Sequence, residues 1–133
     1  MRNILLAGFA ATALFAAAAL ADDKSAHGTH AAAPASITGE VVDTGCYLGH
    51  AAKGEKHIGC ATKCIANGMP MGLLTDKGEL YLLTLNHDNA DPYNALKKMA
   101  GKMVTVSGAV NERGGMRGID VTSFKAAAAA ASK

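Results

Sequence analysis

The 133-residue chain has no tryptophan, and aromatic residues make up only 5% of it. Stacking platforms for bases or sugar rings are therefore poorly stocked. There is also no strong excess of either charge, with 13 basic side chains against 11 acidic ones and a sequence pI near 8.5. A protein that holds nucleic acid by neutralising phosphates needs a basic face, so this balance argues against nucleic acid as a partner. Catalytic signatures are missing too. No Ser-His-Asp spacing, phosphate-cradling glycine loop or His-Glu-x-x-His helix occurs, so the chain does not read as an enzyme. Cysteine is scarce, and its count of three is odd. In an oxidising compartment three cysteines cannot all pair within one chain.

The N-terminus points to such a compartment. Met1-Arg-Asn3 is short and positive, Ile4 to Leu20 carries no charge, and Ala19-Leu-Ala21 offers small residues before the polar Asp22-Asp23. This is the three-part plan of a secretory signal peptide over residues 1–21. A retained membrane anchor is the alternative, but the apolar run is at the lower limit for a span. The expected destination is the bacterial periplasm or the outside, with no membrane association after cleavage. Residues 22–36 are polar and Ala-rich, with His27, His30 and Pro34, and read as a flexible lead-in.

From Ile37 to Lys125 the pattern is that of one small domain. Ile37 to Thr44 is β-branched enough for a first strand, and Gly45 to Lys56, with three glycines, reads as a loop. His57 to Asn67 has Ile58, Ala61 and Ile65 at helical spacing with Gly68 as a stop. Asp76-Lys-Gly78 between two apolar runs predicts a hairpin. Asp91-Pro92 predicts an N-cap and first helical residue, with a helix closing at Gly101. Met103 to Val110 and Met116 to Phe124 are the last two strands, joined by a turn over Asn111 to Gly115. Residues 126–133 form an Ala-rich tail expected to fray. The predicted fold is mainly β: a five-stranded OB-like barrel, with a Cys-rich helical insert after the first strand and a second helix between strands 3 and 4. An open α+β sheet of the same strands is the runner-up.

The chemistry concentrates in Cys46-x13-Cys60-x3-Cys64 with His57 three residues before Cys60. On a helix, positions 57, 60 and 64 share a face, and Cys46 could supply a fourth corner. Thiolates and imidazole in a Cys3His set suit zinc or copper. The competing reading is a disulfide from Cys46 to Cys60 or Cys64. Cys60 and Cys64 themselves cannot bridge across a regular helical turn, whose Cβ atoms stand about 6 Å apart, against the roughly 3.8 Å a disulfide needs. The disulfide strands one cysteine, which favours the metal. A Cys-His thiol redox site is a third and weaker reading, because the neighbouring cysteine would trap it. Met69 and Met71 have thioethers that favour Cu(I), although Met-Pro-Met more often packs in a core. His50 reads as a loop residue, and His87 as part of an Asn86-to-Asn89 turn.

Gly39-Glu-Val-Val-Asp-Thr-Gly-Cys-Tyr-Leu-Gly-His50, Gly54-Glu-Lys-His57-x-x-Cys60-x-x-x-Cys64 and Gly68-Met-Pro-Met-Gly-Leu-Leu74 together resemble a group of small exported bacterial proteins similar to OB-fold domains. The resemblance covers about residues 37–124. It implies the fold and the importance of the cysteine cluster, and it implies no activity. The expected functions are accordingly a periplasmic zinc- or copper-binding protein, or a disulfide-stapled OB-like module for a ligand or a periplasmic partner protein.

Overall fold

The computed structural model describes residues 34–127. The predicted signal peptide, most of the lead-in and most of the alanine tail lie outside the described residues. Five strands form one sheet: β1 (Pro34–Asp43), β2 (Met71–Leu74), β3 (Leu80–Leu85), β4 (Met103–Arg113) and β5 (Met116–Ala126). Their order is β1-β2-β3-β5-β4, and β1 pairs back with β4, so the sheet closes in a ring. All pairings are antiparallel except β3 with β5. β1 begins at Pro34, earlier than the β-branched run suggests, because Pro34 to Ser36 extend the ladder opposite Ser107 to Ala109.

Closing the sheet puts one side chain of each alternating pair inside. Val41, Leu73, Val104, Val106, Ile119 and Val121 are fully buried there, with Leu83 almost so. At the end of β1 the alternation fails: Val41, Val42 and Asp43 are all buried. Ring closure requires one sharp deformation. The β4–β5 register slips between Ser107 and Gly108, and a Cβ at Gly108 would run into the Asp120 carbonyl. Only glycine lets the two backbones approach so closely at this bulge.

Three helices fill the connections. α1 (Thr44–His50) and α2 (Ile58–Ala66) lie between β1 and β2, with a 3₁₀ turn over Glu55–His57 leading into α2. α3 (Asp91–Leu96), followed by a 3₁₀ turn over Lys97–Met99, lies between β3 and β4. α2 docks through Ala61 and Ile65, and α3 through Leu96, all buried in the same core. Among the described residues no helix is long and apolar enough to cross a membrane.

Several local expectations change. The loop predicted from Gly45 to Lys56 is largely helical: α1 occupies its first half and the 3₁₀ turn begins at Glu55. α1 buries no residue, so apolar periodicity could not reveal it. It exists because Asp43 caps its N-terminus and Ala51 closes it in the left-handed conformation. The turn predicted over Asn111 to Gly115 shrinks to Gly114-Gly115, both with positive φ. Asn111 to Arg113 are paired instead with Met116 to Gly118. These residues lack the alternation that marks a half-buried strand. Asp91 is the first helical residue rather than the cap. The cap position is Ala90, and the Asp91 amide donates to the Asn89 side chain at 3.0 Å.

Candidate metal centre

The end of β1 and the two insert helices bring the cysteines together. Cys46 sits in the first turn of α1, while Cys60 and Cys64 are one turn apart on α2. All three are free thiols. The Cys60 and Cys64 sulfurs are 3.9 Å apart, far beyond the roughly 2.05 Å of a disulfide bond. α2 keeps its regular winding between them, in keeping with the steric argument from sequence.

Cys46 joins two sets of potential ligand atoms. Cys46, His57 and Cys60 lie with their ligand atoms within 4.8 Å of one another, and so do Asp43, Cys46 and Cys64. Together with the Cys60–Cys64 approach, this makes the three sulfurs a triangle in which no edge exceeds 4.8 Å. An ion with metal–sulfur bonds of about 2.3 Å in a tetrahedral shell needs sulfurs roughly 3.8 Å apart. The α2 pair already has that spacing, and Cys46 needs only a small approach. The structure therefore brings all four sequence-predicted ligands to one place. His57 groups with Cys46 and Cys60.

Asp43 is the residue that the sequence reading missed. It is 1% exposed and is the buried charged residue among those described. Its Oδ1 accepts the Cys46 amide at 2.8 Å, and its Oδ2 lies 3.2 Å from His57 Nε2. One carboxylate thus ties the start of α1 to the start of α2. The arrangement is that of a carboxylate orienting a histidine ligand from behind, a common support for metal-bound imidazole. The available signal was Asp43 directly after a strand and three residues before Cys46, an N-cap pattern.

The electrostatics follow from this packing. Burial acts to raise the Asp43 pKa. The Cys46 amide, the Cys46 thiol and His57 outweigh it, and the carboxyl is held below its ordinary value. The same contact works in reverse on Cys46. Hydrogen bonding to Asp43, burial and the Asp43 charge push its thiol up to about 12. Cys64 is raised mainly by its contact with Cys60 and by burial. These thiols hold their protons at neutral pH until a cation displaces them, since a coordinating thiol is deprotonated outright.

The other sequence candidates separate cleanly. Met71 is fully buried in β2 and belongs to the core. Met69 is 37% exposed. Its amide donates to the Cys64 carbonyl at 2.9 Å, and its thioether sulfur lies 2.7 Å from where a Cβ of Gly45 would stand. His50 ends α1, is exposed, and joins neither ligand set. His87 lies in a turn in which the Asn86 side chain accepts the Asp88 and Asn89 amides. His27 and His30 lie outside the described residues. No protein-family model matches the chain, and neither a curated protein nor a solved structure does.

Proposed function

We propose that this is an exported bacterial protein that binds zinc or copper through Cys46, Cys60, Cys64 and His57. The observation that carries the reading is the convergence of three sulfurs and an imidazole from separate chain segments, with a buried carboxylate behind the histidine. Export to the periplasm rests on the charged start, apolar run and Ala-x-Ala site of residues 1–21. An OB-like barrel is supported by the ring order β1-β2-β3-β5-β4, the parallel β3–β5 pair and the helix between β3 and β4. In that architecture the metal-bearing insert is the connection between β1 and β2.

A thiol redox dyad of Cys64 with His57 is disfavoured by the setting of Cys64. A reactive cysteine needs a lowered pKa in an electropositive setting, whereas the contact with Cys60 and burial push this thiol up. A disulfide-stapled module is disfavoured because a Cys46 crosslink leaves one α2 cysteine without a role. Metal analysis of the protein purified from the periplasm, with a parallel free-thiol count, tests the proposal. Near-stoichiometric zinc or copper that disappears in Cys60→Ser is the expected result. Metal-free protein with one free thiol and a crosslink from Cys46 would overturn it in favour of the stapled module.

A further inference from the structure

Resting on the metal-binding reading above, we infer that the ion is monovalent copper, held by the Cys46, Cys60 and Cys64 sulfurs and exchanged past the Met69 thioether. The sulfur-rich donor set favours copper over zinc. His57 stands in one ligand set with Cys46 and Cys60, with its Nε2 turned to Asp43 at 3.2 Å and its other ring nitrogen left for an ion. The three sulfurs are mutually close without help from the imidazole. A shell of three soft donors selects a thiophilic ion, Cu(I) among them, and an added thioether is what tips the set toward Cu(I).

Met69 supplies the second, independent observation. Its backbone is tied to the Cys64 carbonyl, and its sulfur rests on Gly45, the residue before Cys46. The side chain therefore spans from the segment carrying Cys64 to the segment carrying Cys46, at the protein surface. A substituent at Gly45 would collide with this thioether, so glycine there is what lets the sulfur lie against the residue before Cys46. A thioether adds almost nothing for zinc but is a good, weakly held ligand for Cu(I). Cys60 is also exposed, which leaves the triangle open on one corner.

The placement suits cargo better than a structural ion. None of the three cysteines, nor His57, belongs to the hydrophobic core, and α1 buries no residue. The sheet is held by its own apolar interior, unlike small zinc domains whose folding energy is the metal. Exchange needs no redox step. A thiolate or thioether of an acceptor protein adds to the copper, the Cys60 sulfur departs and takes up a proton, and the ion remains Cu(I).

The test uses the full mature chain, reduced and handled without oxygen. Cu(I) and Zn(II) are titrated separately in competition with chromophoric chelators. One Cu(I) per chain is expected, with affinity lowered more than about 100-fold in Cys60→Ser but less than about tenfold in His57→Ala, bracketing the range that outer-shell partners cost. Met69→Leu, a surface change of similar volume, should keep Cu(I) affinity within about threefold yet slow copper transfer to the chelator by about tenfold. A circular-dichroism melt matching the parent chain shows that each variant is folded. Zinc binding alone, or a His57→Ala loss as large as that of Cys60→Ser, overturns the copper inference and leaves the metal reading standing. Unchanged transfer in Met69→Leu removes the exchange role. Binding of neither metal overturns both readings.

Discussion

Replacing Asp43 should expose how the site is tied to the fold. In Asp43→Ala the Cys46 amide loses its acceptor at 2.8 Å and His57 loses its partner at 3.2 Å. Loss of an N-cap costs about 1 kcal/mol. A hydrogen bond to a charged group contributes about 1.5 kcal/mol at the lower end of its range, which is appropriate because the His57 side chain is 20% exposed and water can reach it. Relief of burying the carboxylate offsets part of this. Even so, the hydrogen bonds outweigh burial in setting the Asp43 pKa. The expected net loss is about 2 kcal/mol, which at a urea slope of about 1.5 kcal/mol per molar moves the midpoint down by more than about 1 M. Asparagine caps as well as aspartate, so Asp43→Asn should cost only about 1 kcal/mol at neutral pH. Urea unfolding followed by far-ultraviolet circular dichroism, with reductant and chelator present, measures both.

The pH dependence has a definite sign. Asp43 has a folded pKa below its unfolded value of about 3.9. Its contribution is therefore present above that unfolded value and is lost as pH falls through the folded one. The gap between parent and Asp43→Asn should shrink as pH falls below about 4. A gap that stays flat down to pH 2, or an Asp43→Ala cost below about 0.5 kcal/mol, would refute the role assigned to this carboxylate.

Three further outcomes are expected. Iodoacetamide at pH 8, read by mass spectrometry on metal-free protein, should label exposed Cys60 well before Cys46, whose thiol is pushed up to about 12. Asp43→Asn should narrow that difference, and equal rates in the parent chain would contradict the electrostatic account. Metal affinity, measured by chelator competition, should fall steadily as pH is lowered from 8 to 6, because the ion must displace protons that Cys46 and Cys64 hold tightly; a flat profile would contradict thiolate ligation. Gly108→Ala should cost more than about 3 kcal/mol, or abolish folding, because its methyl group meets the Asp120 backbone at the bulge. A thermal melt within a few degrees of the parent would show that the bulge can relax.

The strands and the α2 spacing were legible in the sequence because each depends on a local period. Glu79 to Leu85 and Met103 to Val110 announce half-buried strands through alternation, and Asp76-Lys-Gly78 marks their neighbouring hairpin. His57, Cys60 and Cys64 announce one helical face through steps of three and four. Where burial is absent the period is absent too, and α1 and the Asn111 to Arg113 ladder went unread for that reason.

What the sequence by itself determined, then, was the shared face of His57, Cys60 and Cys64 and the impossibility of a Cys60–Cys64 bridge, both consequences of helical geometry within a dozen residues. Only the tertiary structure decided that Cys46 reaches both α2 thiols and that His57 stands with Cys46 and Cys60. It also decided that Asp43 is the buried carboxylate between them. Those facts arise where the insert folds back over the end of β1. They depend on a closed ring of strands that fixes where β1 ends, and no spacing along the chain encodes that position.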